Sequence, residues 1–298
     1  MSQFFPVGRT GGASSGYKVG DTILGNNLSL LASSGAEIWS NSDVADARGV
    51  AVDSAGNVYV AYSNSSGKTV RKLSGTDGTE IWSNSDVALA QSVAVDSAGN
   101  VYVTYHNGSG KTVRKLSGTD GTEIWSNSDV HYAYGVAVDS AGNVYVTYNN
   151  DSGKIVRKLS GTDGTEIWAS SDVALALGIA VDSAGNVYVA YSYSSGKTVR
   201  KLSGTDGTEI WASSDVALAQ SVAVDSAGNV YVTYNSGSGK TVRKLSGTDG
   251  TEIWASSDVH YAYGVAVDSA GNVYVTYNSD SGKIVRKLAG STTYKITG

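Results

Sequence analysis

The chain has 298 residues, 41% of them hydrophobic, enough to bury a core, so wholesale disorder is excluded. It has no Cys, which removes a disulfide framework, thiol catalysis and a Cys-ligated metal. The formal charge of −5, from 22 basic and 27 acidic residues with no basic stripe, argues against nucleic acid as a partner.

Residues 1–42 are divergent and set apart from the rest, as a first blade or an attachment arm; residues 43–298 are repetitive. The opening lacks a basic start followed by an apolar stretch, so no Sec signal is readable. No apolar run approaches the about 20 residues of a membrane helix, so membrane insertion is not expected. Trp39, Trp82, Trp125, Trp168, Trp211 and Trp254 recur every 43 residues, and so do Asp53, Asp96, Asp139, Asp182, Asp225 and Asp268. A period in the forties made of short alternating segments, with no amphipathic helical run, is the mark of a propeller blade.

Within one unit four strands are predicted in order: a at residues 50–53 (VAVD), b at 57–62 (NVYVAY), c at 68–74 (KTVRKLS) and d at 79–82 (TEIW). Asp53 and Gly56 suit a tight a–b turn, and Asp77 with Gly78 does the same for c–d; calcium ligation by these loops is the competing reading, but they lack the ligand spacing of an EF-hand. Units one and four, two and five, and three and six share details, so a three-unit block has itself been copied. The fold class is therefore all-β: a single propeller of four-stranded antiparallel blades. Seven blades are favoured, the extra one drawing on Phe4 to Ala32 and on the strand of Trp39. Six blades closed by the Trp39 strand are the alternative.

The segment HYAYGVAVDSAGNVYVTYN at 131–149, and its near-copy at 260–278, resembles the bacterial beta-propeller repeat family. Asp77-Gly78-Thr79-Glu80-Ile81-Trp82 resembles the Gly-x-x-x-Trp docking motif of quinoprotein-type propellers, which implies a Trp packed between neighbouring blades. The resemblance carries no activity, and the cofactor-binding residues of quinoprotein enzymes have no placeable counterpart, so no cofactor is expected. The first 30 or so residues resemble the starts of some phage tail and virion structural proteins, which implies a virion or extracellular-surface location; a cytoplasmic one stays open.

Because neighbouring strands run antiparallel, the b–c and d–a loops share one face and the a–b and c–d loops the other. The loops of the first face vary while those of the second repeat. Tyr, His, Asn and Ser on that variable face suit carbohydrate, since aromatic rings stack on sugars and amides bond their hydroxyls. Candidate ligand residues are His131, Tyr132, Tyr134, His260, Tyr261, Tyr263, His106, Asn149, Tyr193 and Asn278. Loop drift and protein contact are competing readings, and for Tyr134 and Tyr263 so is packing inside the central channel. His131 and His260 stand three units apart, too far to share a metal, so no metal site is expected. Acids repeated in every unit point to structure rather than a unique catalytic constellation, and Glu80 is expected to pair with Lys72 across strands c and d. The expected function is a non-enzymatic binding or structural module meeting surface glycan or other virion and surface proteins, with oligomerisation open. The alternatives are a pure spacer and a hydrolase or lyase with a site in the channel.

Overall fold

The computed structural model describes residues 39–41, 47–62, 69–86, 89–105, 112–130, 132–148, 156–170, 176–191, 198–214, 218–234, 241–256, 262–268, 271–279 and 282–288. The chain divides into two compact units, Met1–Asn41 and Ser42–Gly298. The second unit is built of six antiparallel sheets among its described residues. β1 (Ala47–Val52), β2 (Val58–Tyr62), β3 (Val70–Leu73) and β4 (Glu80–Asn84) form the first. β5 (Ala90–Val95), β6 (Val101–Tyr105), β7 (Val113–Leu116) and β8 (Glu123–Asn127) form the second, and β9 (Ala133–Val138), β10 (Val144–Tyr148), β11 (Val156–Leu159) and β12 (Glu166–Ser170) the third. The fourth comprises β13 (Ala176–Val181), β14 (Val187–Tyr191), β15 (Val199–Leu202) and β16 (Glu209–Ser213), and the fifth β17 (Ala219–Val224), β18 (Val230–Tyr234), β19 (Val242–Leu245) and β20 (Glu252–Ser256). The sixth has three described strands, β21 (Ala262–Val267), β22 (Val273–Ser279) and β23 (Gly282–Leu288). This is the expected propeller, strand order following chain order in every blade. A further blade drawn from Phe4 to Ala32 lies outside the described residues.

The core lies between blades. Strand b is apolar on both sides, as VYVTY dictates: Val101, Tyr102, Val103 and Tyr105 are all fully buried. Tyr102 of one blade packs with Val136, Val144 and Tyr148 of the next in a single cluster. Trp125 on β8 joins that cluster, 6.0 Å centroid to centroid from Tyr102, and donates its Nε1 hydrogen to the Gly161 carbonyl of the following blade at 3.1 Å. Lys115 Nζ donates to the same carbonyl at 2.7 Å while lying 5.3 Å from the centre of the Tyr102 ring. The next blade's Gly164, four residues before Trp168, sits under the Trp125 indole; a Cβ there would lie 2.6 Å from the ring, so only glycine fits. The Gly-x-x-x-Trp motif therefore does join neighbouring blades.

The turns behave as read. Asp139 Oδ1 accepts from the amides of Ala141 and Asn143, and its Oδ2 from Asn143 Nδ2 and the Tyr145 hydroxyl, all within 2.8–3.0 Å. One carboxylate thus ties the a–b turn to a fully buried tyrosine, and the same set recurs at Asp53, Asp96, Asp182 and Asp225. The expected Glu80–Lys72 pair is corrected. Glu80 pairs with Arg71 at 3.0 Å, because the register slips by one residue between Lys72 and Leu73, skipping Ile81. That bulge turns Glu80 onto the Arg71 face, and Lys72 reaches instead to the Gly118 carbonyl of the next blade at 2.8 Å.

Among the described residues, strand a is covered by the blade before it from β5 to β21. Val93 on β5 is 6% exposed, whereas its counterpart Val50 on β1 is 66% exposed. Thr104, Thr147 and Thr233 on strand b are fully buried, whereas Thr276 on β22 is exposed.

Candidate functional site

The first strands of the six blades surround a central channel of about 1020 Å³. Their second residues, Arg48, Gln91, Tyr134, Leu177, Gln220 and Tyr263, all line it. Elsewhere the described strands are nearly identical from blade to blade, so this ring is where they differ most in chemistry.

Three of the six ring residues are fixed by a threonine of the blade before them. Thr104 Oγ1 on β6 donates to the Tyr134 carbonyl at 2.6 Å, Thr147 to that of Leu177 at 3.0 Å, and Thr233 to that of Tyr263 at 2.8 Å. Where strand b carries alanine instead, at Ala61 and Ala190, the following blade has serine rather than glycine as the third residue of strand a, Ser92 and Ser221. Opposite the threonines that residue is glycine: Gly135, Gly178 and Gly264. The glycine–serine variation in the channel wall is thus tied to packing between blades. The second-residue variation does not follow the threonine–alanine alternation of strand b.

At the mouth, the residue before strand a takes a left-handed backbone. Leu89, Tyr132 and Leu218 have φ of 54°, 47° and 54°. Tyr132 is 64% exposed and Leu89 44% exposed. The strain is contained by the neighbouring amides, since Gln91 Nε2 donates to the Leu89 carbonyl at 3.0 Å and Gln220 Nε2 to that of Leu218 at 3.3 Å. Arg48 Nη1 in turn donates to Gln91 Oε1 at 3.0 Å. Arg48 is the one charged residue lining the channel among the described residues.

Of the sequence candidates, Tyr134 and Tyr263 are brought together in the channel wall, Tyr134 half-buried and Tyr263 49% exposed. Tyr132 stands at the mouth. His131, His260, Tyr261, His106, Asn149 and Tyr193 lie outside the described residues, and of Asn278 only the backbone position on β22 is described. Sequence reasoning missed Arg48, Gln91 and Gln220. The second position of strand a is where the copies diverge in charge and polarity, a signal the sequence carries without showing that the position faces a channel. No group of three or more metal-ligating side chains occurs among the described residues.

The aspartates of the a–b and c–d turns sit on the opposite face. Burial pushes the Asp139 carboxyl up, but hydrogen bonds from Asn143 and Tyr145 and the charge of Lys158 outweigh it and hold the group below the ordinary carboxylate range. Asp182 and Asp225 behave alike. These are ionised anchors of turns.

A family model described as outer membrane protein assembly factor BamB matches residues 25–168 and 151–286, nearly the whole chain. The chain belongs to this family. Among curated proteins none matches the sequence significantly. Of solved structures, the computationally designed Ika8 protein is similar with a TM-score of 0.64 at 12% identity, over 87% of this chain and 76% of that one. A protein of unknown function from Bacteroides caccae is similar with a TM-score of 0.54 at 14% identity, over 70% of this chain and 80% of that one. At such identities these two likenesses concern the fold alone, and they agree with the BamB-family blade described above.

Proposed function

We propose that the chain is a non-enzymatic binding module of a virion or cell surface, which contacts glycan through the face bearing the b–c and d–a loops and through the channel that opens there. The observation that carries this reading is the left-handed backbone of Tyr132 and Leu89. A left-handed conformation costs a non-glycine residue about 1 kcal/mol, and glycine would adopt it freely. Bulky, exposed side chains held there at such a cost are kept for what they touch. An aromatic ring at the mouth, two tyrosines and two glutamines in the wall are the groups that carbohydrate recognition uses. Membership of a family described as an assembly factor favours protein contact as the second reading.

A glycan array probed with the full chain tests the proposal. The wild type should bind a defined set of glycans, and Tyr132→Gly should weaken that binding while raising thermal stability by about 1 kcal/mol through relief of strain. Absence of any glycan signal would remove the carbohydrate reading and leave protein contact, and unchanged glycan binding by Tyr132→Gly and Tyr263→Ala together would overturn the assignment of that binding to the mouth and channel.

A further inference from the structure

The channel is built of two copied halves. Its ring reads Arg48, Gln91, Tyr134 in the first and Leu177, Gln220, Tyr263 in the second. Two of the three positions are preserved between the halves, and the third exchanges a guanidinium for an isobutyl group. One positive charge therefore breaks the near-symmetry of an otherwise uncharged wall.

That charge is positioned, and it is uncompensated among the described residues that line the channel. Arg48 is exposed, yet its Nη1 is fixed on Gln91 Oε1 at 3.0 Å, and the same amide is fixed at its other end by the Leu89 carbonyl. A guanidinium offers five N–H donors in a planar fork, of which this bond uses one. No carboxylate lines the channel among the described residues, and a concave low-dielectric wall concentrates the field of a lone cation. The fork matches a carboxylate in bidentate fashion, and the ring residue two blades on is Tyr134, a flat amphipathic surface.

We infer that the channel mouth takes a carboxylate-bearing sugar, with the carboxylate on Arg48 and Gln91 and Tyr134 beside the ring. This rests on the carbohydrate reading above and adds the class of sugar and its location.

Calorimetric titration of the full chain with galacturonate trisaccharide and with its methyl ester separates the two ideas, since the probes share the sugar rings and differ only at the carboxyl, ionised in one and a neutral ester in the other. The acid should bind at least about tenfold more tightly than the ester, the range expected for a hydrogen bond to a charged group. Arg48→Leu places in the first half the residue that the second half already carries, so the fold should be kept, which an unchanged melting temperature will verify. It should abolish the difference between acid and ester, while Leu177→Arg should give a second binding equivalent. Equal affinity for acid and ester, unaltered by Arg48→Leu, would overturn this inference and leave the carbohydrate reading standing. Displacement of the acid by inorganic phosphate at equal molarity would also overturn it, by showing a site for anions at large. Binding of neither probe, together with a blank glycan array, would overturn both.

Discussion

At the scale of single residues, the most repeated group is the aspartate that closes each a–b turn, and it makes stability depend on pH at both extremes. Asp139, Asp182 and Asp225 are held below the ordinary carboxylate value of 3.8, burial being outweighed by their hydrogen bonds, so the stability they confer is present above about pH 4 and is lost as pH falls further. Their tyrosine partners shift the other way. Burial first, then the hydrogen bond to the aspartate, pushes the hydroxyls of Tyr102, Tyr145 and Tyr188 well above the ordinary value of 10. A group with a raised folded value stabilises fully below its unfolded value, so this contribution is lost as pH rises beyond 10. In tyrosinate absorbance followed from pH 8 to 13, a share belonging to these buried hydroxyls should therefore appear only together with loss of β-sheet circular dichroism. Ionisation of all the tyrosines with the sheet intact would show that these hydroxyls are not held as described.

At the scale of the element, the strands are short and none is self-sufficient; each blade is joined to the next by one tryptophan. Trp125 is 8% exposed, packs on Tyr102, and bonds to Gly161 of the following blade. Trp125→Ala should cost about 3–5 kcal/mol, the range for deletion of a buried large aromatic, measured as a shift in the denaturant midpoint. A cost below about 1 kcal/mol would mean that the indole does not join the blades. This dependence was legible in the sequence through a resemblance, since Asp77 to Trp82 is similar to the Gly-x-x-x-Trp docking motif of quinoprotein-type propellers, which implies a Trp packed between blades. So were the turns, where Asp and Gly have few alternatives. The pairing of Glu80 with Arg71 was not, because a one-residue bulge changes which side chains share a face and strand propensity is silent about bulges. Nor was the lining by Arg48, Gln91 and Gln220, since a strand's facing toward a channel follows from how the six sheets are arranged together, a tertiary event.

At the scale of the whole molecule, copying of a three-blade block explains why the scaffold is uniform and where it is not. Interfaces between blades must match to be reused, which is why the serines at 92 and 221 follow the alanines at 61 and 190. The first two blades give a direct comparison of equivalent valines. Val93→Ala should cost about 2 kcal/mol for the lost burial and the cavity, and Val50→Ala, at an exposed position, close to nothing. Equal costs at the two positions would show that a further blade covers Val50.

On the reading proposed above, the repeated parts hold the blades together while the second residues of strand a meet the glycan. A single variant separates these two roles: Arg48, Gln91, Tyr134, Gln220 and Tyr263 all replaced by the leucine found at position 177, compared with the wild type for melting temperature and for glycan binding in the same preparation. A folded protein that melts within a few degrees of the wild type and has lost glycan binding is expected; a levelled ring that unfolds, or one that binds as before, would refute the division of roles.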